Sequence, residues 1–205
     1  VKCINSSSEE KIKEAAKSVF LKKGFAGTTA RDIADAAGMN IALTNYYFRS
    51  KERLFVEIFQ DLLALYCTST LHILDQPIGL REKIIAIIEE DYRLMKQEPS
   101  LVLFIMTEIH RDCEKLLPEM SRYKEAMTKK LAEQLREEAS HGTIRALGVE
   151  HLLPMILGSL QFIFMSKNMH MKLHGLNEAQ FEEYTEKHKN HVIELVTNYL
   201  FPSSS

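Results

Sequence analysis

Tryptophan is absent from the sequence, and cysteine (three), proline (five) and glycine (eight) are scarce in 205 residues. Each scarcity excludes something. Cys3, Cys67 and Cys113 lie far apart, are odd in number and form no CxxC pair, so neither a disulfide framework nor a cysteine zinc site is indicated. Cys67 and Cys113 fall in apolar helical stretches and read as ordinary core thiols. No uninterrupted apolar run reaches the roughly 18–20 residues that span a bilayer. The first ten residues are polar and contain no signal-peptide core. A soluble chain in a reducing cytoplasm, with no membrane partner, is the expectation. GxSxG, HExxH, a glycine-rich phosphate loop and a paired-carboxylate motif are all missing, so no enzyme and no cofactor are expected. Glu89, Glu90 and Asp91 are consecutive, cannot share one helix face, and read as solvated. His170 and His174, and His188 and His191, have helical spacing, but neither pair has an evident third ligand, so no metal is expected. His188 reads as a part-buried histidine on an apolar stripe.

Charge is also nearly absent in net terms, at −2, which is not the balance of a wholly basic nucleic-acid binder. Its distribution is uneven. Residues 1–53 hold ten Lys/Arg against six Asp/Glu, and the remainder is acidic. A basic head on an acidic body is the asymmetry expected when only the head meets phosphate. Apolar residues make up 45%, enough for a sizeable core in one large domain or a small domain joined to a larger one.

What is present is helical periodicity. Apolar residues recur at three and four positions nearly everywhere, which gives an all-α fold of about nine helices. The first helix covers residues 8–23, with Ile12, Ala15, Ala16, Val19 and Phe20 on one face and Gly24 as its left-handed stop. A second opens at Thr29, whose hydroxyl caps the amide of Asp32 while that carboxylate reaches back, and ends at Gly38. A third, capped by Asn40, runs only to about residue 46. The fourth follows Ser50 and carries Leu54, Phe55, Ile58, Leu62 and Leu65 on one side. Pro77 and Gly79 mark a loop before a fifth helix at 80–97. The sixth, 101–112, is apolar almost all round at its start and is expected to be central and buried. The seventh covers 118–140, with Met120, Tyr123, Met127, Leu131 and Leu135 in a stripe. The eighth covers 149–172. The ninth, 177–199, has Phe181, Tyr184, His188, Val192, Leu195 and Tyr199 on one face.

Function concentrates in residues 29–48, TARDIADAAGMNIALTNYYF. Two short helices meet at a tight turn where Gly38 supplies the positive φ. Ile33, Ala34, Ala37 and Met39 face inward, and a short helix exposing Asn and Tyr can enter a major groove. The pattern Gly24-Phe25, Thr28-Thr29, Asp32-Ile33-Ala34, Ala37-Gly38, Tyr47-Phe48 and Ser50-Lys51-Glu52 resembles the signature of the tetracycline-repressor (TetR) family. The resemblance implies an N-terminal three-helix helix-turn-helix DNA-binding domain at 1–50. It implies a C-terminal helical effector-binding and dimerisation domain at 51–205, with the fourth helix, 51–66, linking the two. It assigns phosphate contacts to the hydroxyl and amide of Thr29, the phenol of Tyr47 and the ammonium of Lys51. Base reading falls to Asn40, Ala42, Leu43, Asn45 and Tyr46, with Asn45 suited to an adenine edge and Leu43 to a thymine methyl. The reading face departs from the usual family form, which has glycine where Ala42 stands, an aliphatic where Thr44 stands and tyrosine where Asn45 stands.

The rest follows from the same resemblance. The partners implied are a double-stranded DNA operator, a second copy of the chain and a small apolar effector that releases a repressor from a palindromic site. The last two helices would pack against their mates through Leu152, Met155, Gly158, Ser159, Phe162, Val192, Leu195 and Tyr199. An effector pocket would be lined by Tyr92, Met95, Phe104, Phe162 and Met165, with His110 or Gln161 as polar handles. The rival reading is a helical homodimeric interaction protein without sequence-specific DNA binding.

Overall fold

The computed structural model describes residues 2–202, without the side chains of residues 2–7, 65, 66, 115, 119, 122 and 123. Cys3, Leu65 and Tyr123 therefore lie outside the described side chains. All regular structure among the described residues is α-helical, as the periodicity requires. The order is α1 (Lys2–Lys23), α2 (Ala30–Ala37), α3 (Ile41–Tyr47), α4 (Lys51–Asp75), α5 (Leu80–Gln97), α6 (Ser100–Arg111), α7 (Cys113–Ser140), α8 (Val149–Met165), α9 (Lys167–His174) and α10 (Glu178–Leu200). One expected helix is two. The stretch 149–172 breaks at Ser166, where α8 and α9 bend by 66°. At the bend the Phe162 carbonyl accepts both the Ser166 amide at 2.9 Å and the Ser166 hydroxyl at 2.5 Å.

The chain divides into two compact units. The first comprises Val1–Leu65 and Leu103–Ser121, the second Tyr66–Val102 and Arg122–Ser205. The division expected at residue 50 does not follow these units, for a packing reason. In the first unit, Ile12, Ala16 and Phe20 of α1 are fully buried, as are Leu54, Phe55 and Phe59 of α4. Phe55 packs edge-on to Phe20 at 5.3 Å, to Phe25 at 4.9 Å and to Phe104 of α6 at 5.8 Å between ring centroids. The start of α4 and most of α6 are thus part of the core that carries α1–α3. Phe104, expected in an effector pocket, is a core aromatic here.

Glu108 of α6 strengthens this join. It is 1% exposed. One carboxylate oxygen accepts the Phe25 amide at 2.8 Å, and the other accepts Arg111 Nε at 2.7 Å. The Arg111 guanidinium lies 4.6 Å from the Phe25 ring centroid. Gly24, at φ +69°, makes the turn that aims the Phe25 amide at Glu108, and a Cβ there would approach Glu108 Oε1 to 3.2 Å.

In the second unit, α5, α8 and α10 pack on one another. Ile84, Ile87 and Ile88 of α5, Leu152, Ile156 and Leu160 of α8, and Val192, Val196 and Leu200 of α10 form its centre with Leu131 and Leu135 of α7. On α10 the buried stripe runs Phe181, Thr185, Lys189, Val192, Val196 and Leu200. The expected stripe shared only Phe181 and Val192 with it. Tyr184 and His188 are half-buried, and Leu195 and Tyr199 are exposed.

Two further expectations are corrected. α6 is not buried all round: Leu103 is 50% and Met106 44% exposed. Cys113 is exposed, whereas Cys67 is buried as expected. One helix among the described residues, Lys51–Asp75, is long and apolar enough by composition to cross a membrane, although it holds no uninterrupted apolar run. Half of its apolar window is buried.

Replacing Glu108 with alanine should leave the Phe25 amide and Arg111 without their acceptor and destabilise the first unit by about 1–3 kcal/mol. Faster hydrogen exchange at the Phe25 amide, with α5 and α10 amides unchanged, is the expected readout.

Candidate nucleic-acid interface and effector site

The first candidate site is built on α3. Seven residues are too few for a helix to persist alone in water, so its neighbours must hold it. The Thr29 side chain accepts the Asp32 amide at 3.1 Å, and the Asp32 carboxylate accepts the Thr29 amide at 2.8 Å, a reciprocal box that starts α2. Lys23 pairs with the second Asp32 oxygen at 2.7 Å. These donors hold the Asp32 carboxyl well below the usual carboxylate range, the Lys23 bond first and the Thr29 bonds next. α2 ends where Gly38 adopts φ +64°, and the Met39 and Gly38 amides return to the Ala34 and Asp35 carbonyls. Asn40 Oδ1 then accepts the Leu43 amide at 2.7 Å and starts α3.

The sides of α3 are sharply different. Thr44 is 3% exposed and inward, its hydroxyl bonded to the Asn40 carbonyl at 3.3 Å. A hydroxyl with an internal acceptor can stand where an aliphatic is usual, which removes the difficulty raised by that departure. Ala42, Asn45 and Tyr46 are exposed, Tyr46 by 75%. Leu43 and Tyr47 are half-buried, and the Tyr47 ring meets Tyr46 edge-on at 5.4 Å. Phe48 packs inside.

Three residues given outward roles have polar groups with partners inside the chain. The Thr29 hydroxyl and amide are both committed to Asp32. Asn40 Oδ1 is committed to its cap. The Lys51 ammonium donates to the carbonyls of Phe25 at 3.0 Å and Thr28 at 2.8 Å, and lies 4.2 Å from the Phe25 ring centroid. Lys51 thus ties the α1–α2 turn to the start of α4. Sequence reasoning passed over Arg31 and Arg49. Both are exposed, and among the described residues neither forms an ion pair. Their position in the first turn of α2 and just after α3 is the signal that was available.

In the second unit the expected pocket residues separate. Tyr92 and Met95 join Leu94, Val102 and Phe164 in one buried cluster. Gln161 donates to Asp91 at 3.3 Å. Phe162 and Met165 are 56% and 37% exposed, on the outer side of α8. His110 is exposed. A groove of about 810 Å³ in this unit is lined by Tyr92 but by none of the other expected residues. Its charged rim is internally neutralised, with Lys189 paired to Glu89 and Glu186, and Lys96 to Glu182.

The group missed is Asp91. It is fully buried, not solvated. Its neighbours one turn away on α5 are Ile87, Ile88, Leu94 and Met95, all buried, so a carboxyl stands in the middle of the helix's apolar stripe. Among the described residues its Oδ2 has no hydrogen-bond partner. Burial pushes the carboxyl up to about 7, against the Gln161 bond and with help from Glu90. The spacing 84, 87, 88, 91, 95 was the legible signal.

The candidate dimer residues also divide. Leu152 and Val192 are buried in the core of their own unit and are unavailable to a mate. Gly158, Phe162, Leu195 and Tyr199 are exposed, and Met155 and Ser159 half-buried. His188 meets the Ser159 carbonyl at 3.0 Å, which joins the outer sides of α8 and α10. The His170 and His174 rings stack at 5.9 Å, with Tyr184 against both. No group of three metal-ligating side chains occurs among the described residues.

Residues 12–58 match the family described as bacterial regulatory proteins, tetR family. Among curated proteins the chain is similar to a probable HTH-type transcriptional regulator, YttP, of Bacillus subtilis, at 29% identity over 57% of this chain and 58% of that one. It is also similar to the HTH-type transcriptional repressor KstR2 of Mycolicibacterium smegmatis, at 26% over 52% of each. The chain matches only about half the length of these relatives. Among solved structures, a TetR family regulator from Marinobacter aquaeolei aligns with TM-score 0.71 and 19% identity, over 95% of this chain and 97% of that one. The regulator FadR from Bacillus subtilis, solved with stearoyl-CoA, aligns with TM-score 0.69 and 19% identity, over 91% and 96%. At these identities the structures speak for the fold alone.

Two outcomes follow. Lys51→Met keeps the hydrocarbon stem but removes the donor from two carbonyls, and should lower stability by about 1–3 kcal/mol in thermal unfolding. An unchanged melting temperature would return Lys51 to an outward role. For Asp91, the folded pKa of about 7 exceeds the ordinary 3.8. The folded state therefore binds the proton more tightly, and this contribution, full below about pH 4, is lost as pH rises through 7. Wild type should lose more stability than Asp91→Asn between pH 4 and 8 in denaturant titrations.

Proposed function

The chain belongs to the TetR family of bacterial regulatory proteins, and from that premise we propose that it is a cytoplasmic homodimeric transcriptional repressor, released from a palindromic operator by a small apolar molecule. The observation that carries the reading is the split character of α3. A seven-residue helix capped at its start and anchored by Thr44 and Phe48 turns Ala42, Asn45 and Tyr46 outward. No packing need of the protomer accounts for a tyrosine three-quarters exposed on so short a helix. Residues 1–50 serve as the DNA-binding part and 51–205 as the effector and dimer part.

Base recognition on this reading belongs to Ala42, Asn45 and Tyr46, with Leu43 at their margin. Asn45 offers the paired donor and acceptor that suit an adenine edge. Phosphate contact falls to Arg31 and Arg49, because Thr29 and Lys51 have internal partners, and by the family resemblance to the Tyr47 phenol. Thr29 and Lys51 serve by holding α2 and α3 at the angle the groove needs. Two such helices, one from each protomer, must stand about 34–36 Å apart to meet successive major grooves.

The dimer face proposed is the outer side of α8 and α10: Met155, Gly158, Ser159, Phe162, Leu195 and Tyr199. Phe162 and Leu195 are 56% and 61% exposed on the protomer, a degree of wetting that a mate would relieve. Gly158 has nothing within 4 Å of a would-be Cβ, which leaves space for close helix approach. An effector shifts the equilibrium only by binding the released state better than the DNA-bound one.

Selection from random duplexes with the full chain tests the whole reading. A palindromic consensus is expected. No enrichment at low salt, with helix content intact by circular dichroism, would leave the non-DNA-binding dimer. On the selected site, Asn45→Ala should relax one base position by about 1–3 kcal/mol. Arg31→Ala and Arg49→Ala should instead weaken all sequences alike and each reduce the salt slope by about one. Phe162→Glu with Leu195→Glu should give a folded monomer in sedimentation, because neither side chain supports the protomer core.

A further inference from the structure

We propose that Asp91 is the polar anchor of the effector site, and that the effector is an apolar amine whose N–H group takes the second carboxyl oxygen. The inference rests on the ligand-released reading above and names the chemistry of its ligand. Asp91 is fully buried on the inner stripe of α5, between Ile87 and Ile88 on one turn and Leu94 and Met95 on the next. Gln161 of α8 reaches one oxygen with a long bond of 3.3 Å. The other oxygen has no partner among the described residues.

A carboxyl so placed opposes folding, since a buried acceptor without a donor loses its hydration and gains nothing. A leucine at this position would continue the stripe. A carboxyl kept there is accounted for if a donor arrives from outside the chain. The surroundings define that donor. The adjoining cluster is Tyr92, Leu94, Met95, Val102 and Phe164, which suits an apolar body, and Met95 can adapt its unbranched chain to it. Among the described residues no lysine, arginine or histidine bonds Asp91. The complement is therefore an ammonium or amine carried on hydrocarbon, the partner that gains most from a buried carboxylate. A ligand ending in a carboxylate would set acceptor against acceptor. Burial holds the group near neutrality, so cation binding would also settle it in its ionised form.

The test compares octylamine, octanol and octanoate, matched in length, by calorimetric titration of the full-length protein at pH 8. Octylamine should bind at least about tenfold more tightly than octanol, as a charge-assisted hydrogen bond requires, and octanoate should bind most weakly. Asp91→Asn should abolish the preference. Asp91→Leu should be at least as thermostable as wild type and bind no octylamine, which separates loss of the anchor from loss of the fold. Equal affinities for octylamine and octanol, tighter binding of octanoate, or an undiminished preference in Asp91→Asn would each overturn the proposal. Gel shift on the selected operator is scored separately. A protein that binds octylamine through Asp91 but selects no operator keeps this site and sinks the regulator reading. A protein that selects an operator but shows no amine preference does the reverse.

Discussion

Lys51 holds the carbonyls of Phe25 and Thr28 together from the first residue of α4, and the geometry of α2 and α3 depends on that tie. Those carbonyls belong to the turn between α1 and α2, so the ammonium fixes where α2 begins. Glu108 acts on the same turn through the Phe25 amide, and Arg111 covers the Phe25 ring. A cation and an anion from two helices thus satisfy the exposed backbone of one turn, while the Phe20, Phe25, Phe55 and Phe104 rings fill the space beneath it. Once α2 is set, the Gly38 turn and the Asn40 cap leave α3 little freedom. A helix of two turns acquires a defined exposed face because everything around it is overdetermined.

The second unit is organised by the opposite circumstance. Its charges are mostly satisfied: Lys189, 6% exposed, has two carboxylate partners, and Tyr92 meets Thr185. Against that background the unpartnered oxygen of Asp91 and the exposed Phe162, Leu195 and Tyr199 stand out as features the protomer alone does not resolve. One lies inside and calls for a polar group. The others lie outside and call for apolar cover. The break at Ser166 separates the helix that carries Phe162 from α9, so the outer side of α8 ends where the chain bends.

Much of this was legible in the sequence. Capping residues act over three or four positions, so Thr29 with Asp32, Gly38 and Asn40 announced α2 and α3 with little dependence on the rest of the fold. Periodicity gave the remaining helices, apart from the Ser166 break. No proline or glycine marks that bend. Side-chain roles were less legible. Thr29 and Lys51 match positions that commonly face phosphate, yet their donors have nearer acceptors within the protein. Sequence spacing cannot reveal that competition, because Lys51 and Phe25 are 26 positions apart.

Asp91 marks the limit. Beside Glu89 and Glu90 it reads as one of three solvated acids, and only the helical register of Ile84, Ile87 and Ile88 turns it inward. The α10 stripe shows the same division, since Val192 and Leu195 are one turn apart but only Val192 is buried. By itself the sequence determined the all-helical class, the helix-turn-helix and its caps, because these arise from local hydrogen bonding and short-range periodicity. Tertiary structure alone decided which donors remain available, which acid is buried and which apolar residues stay wet, because those depend on what distant helices bring to each side chain.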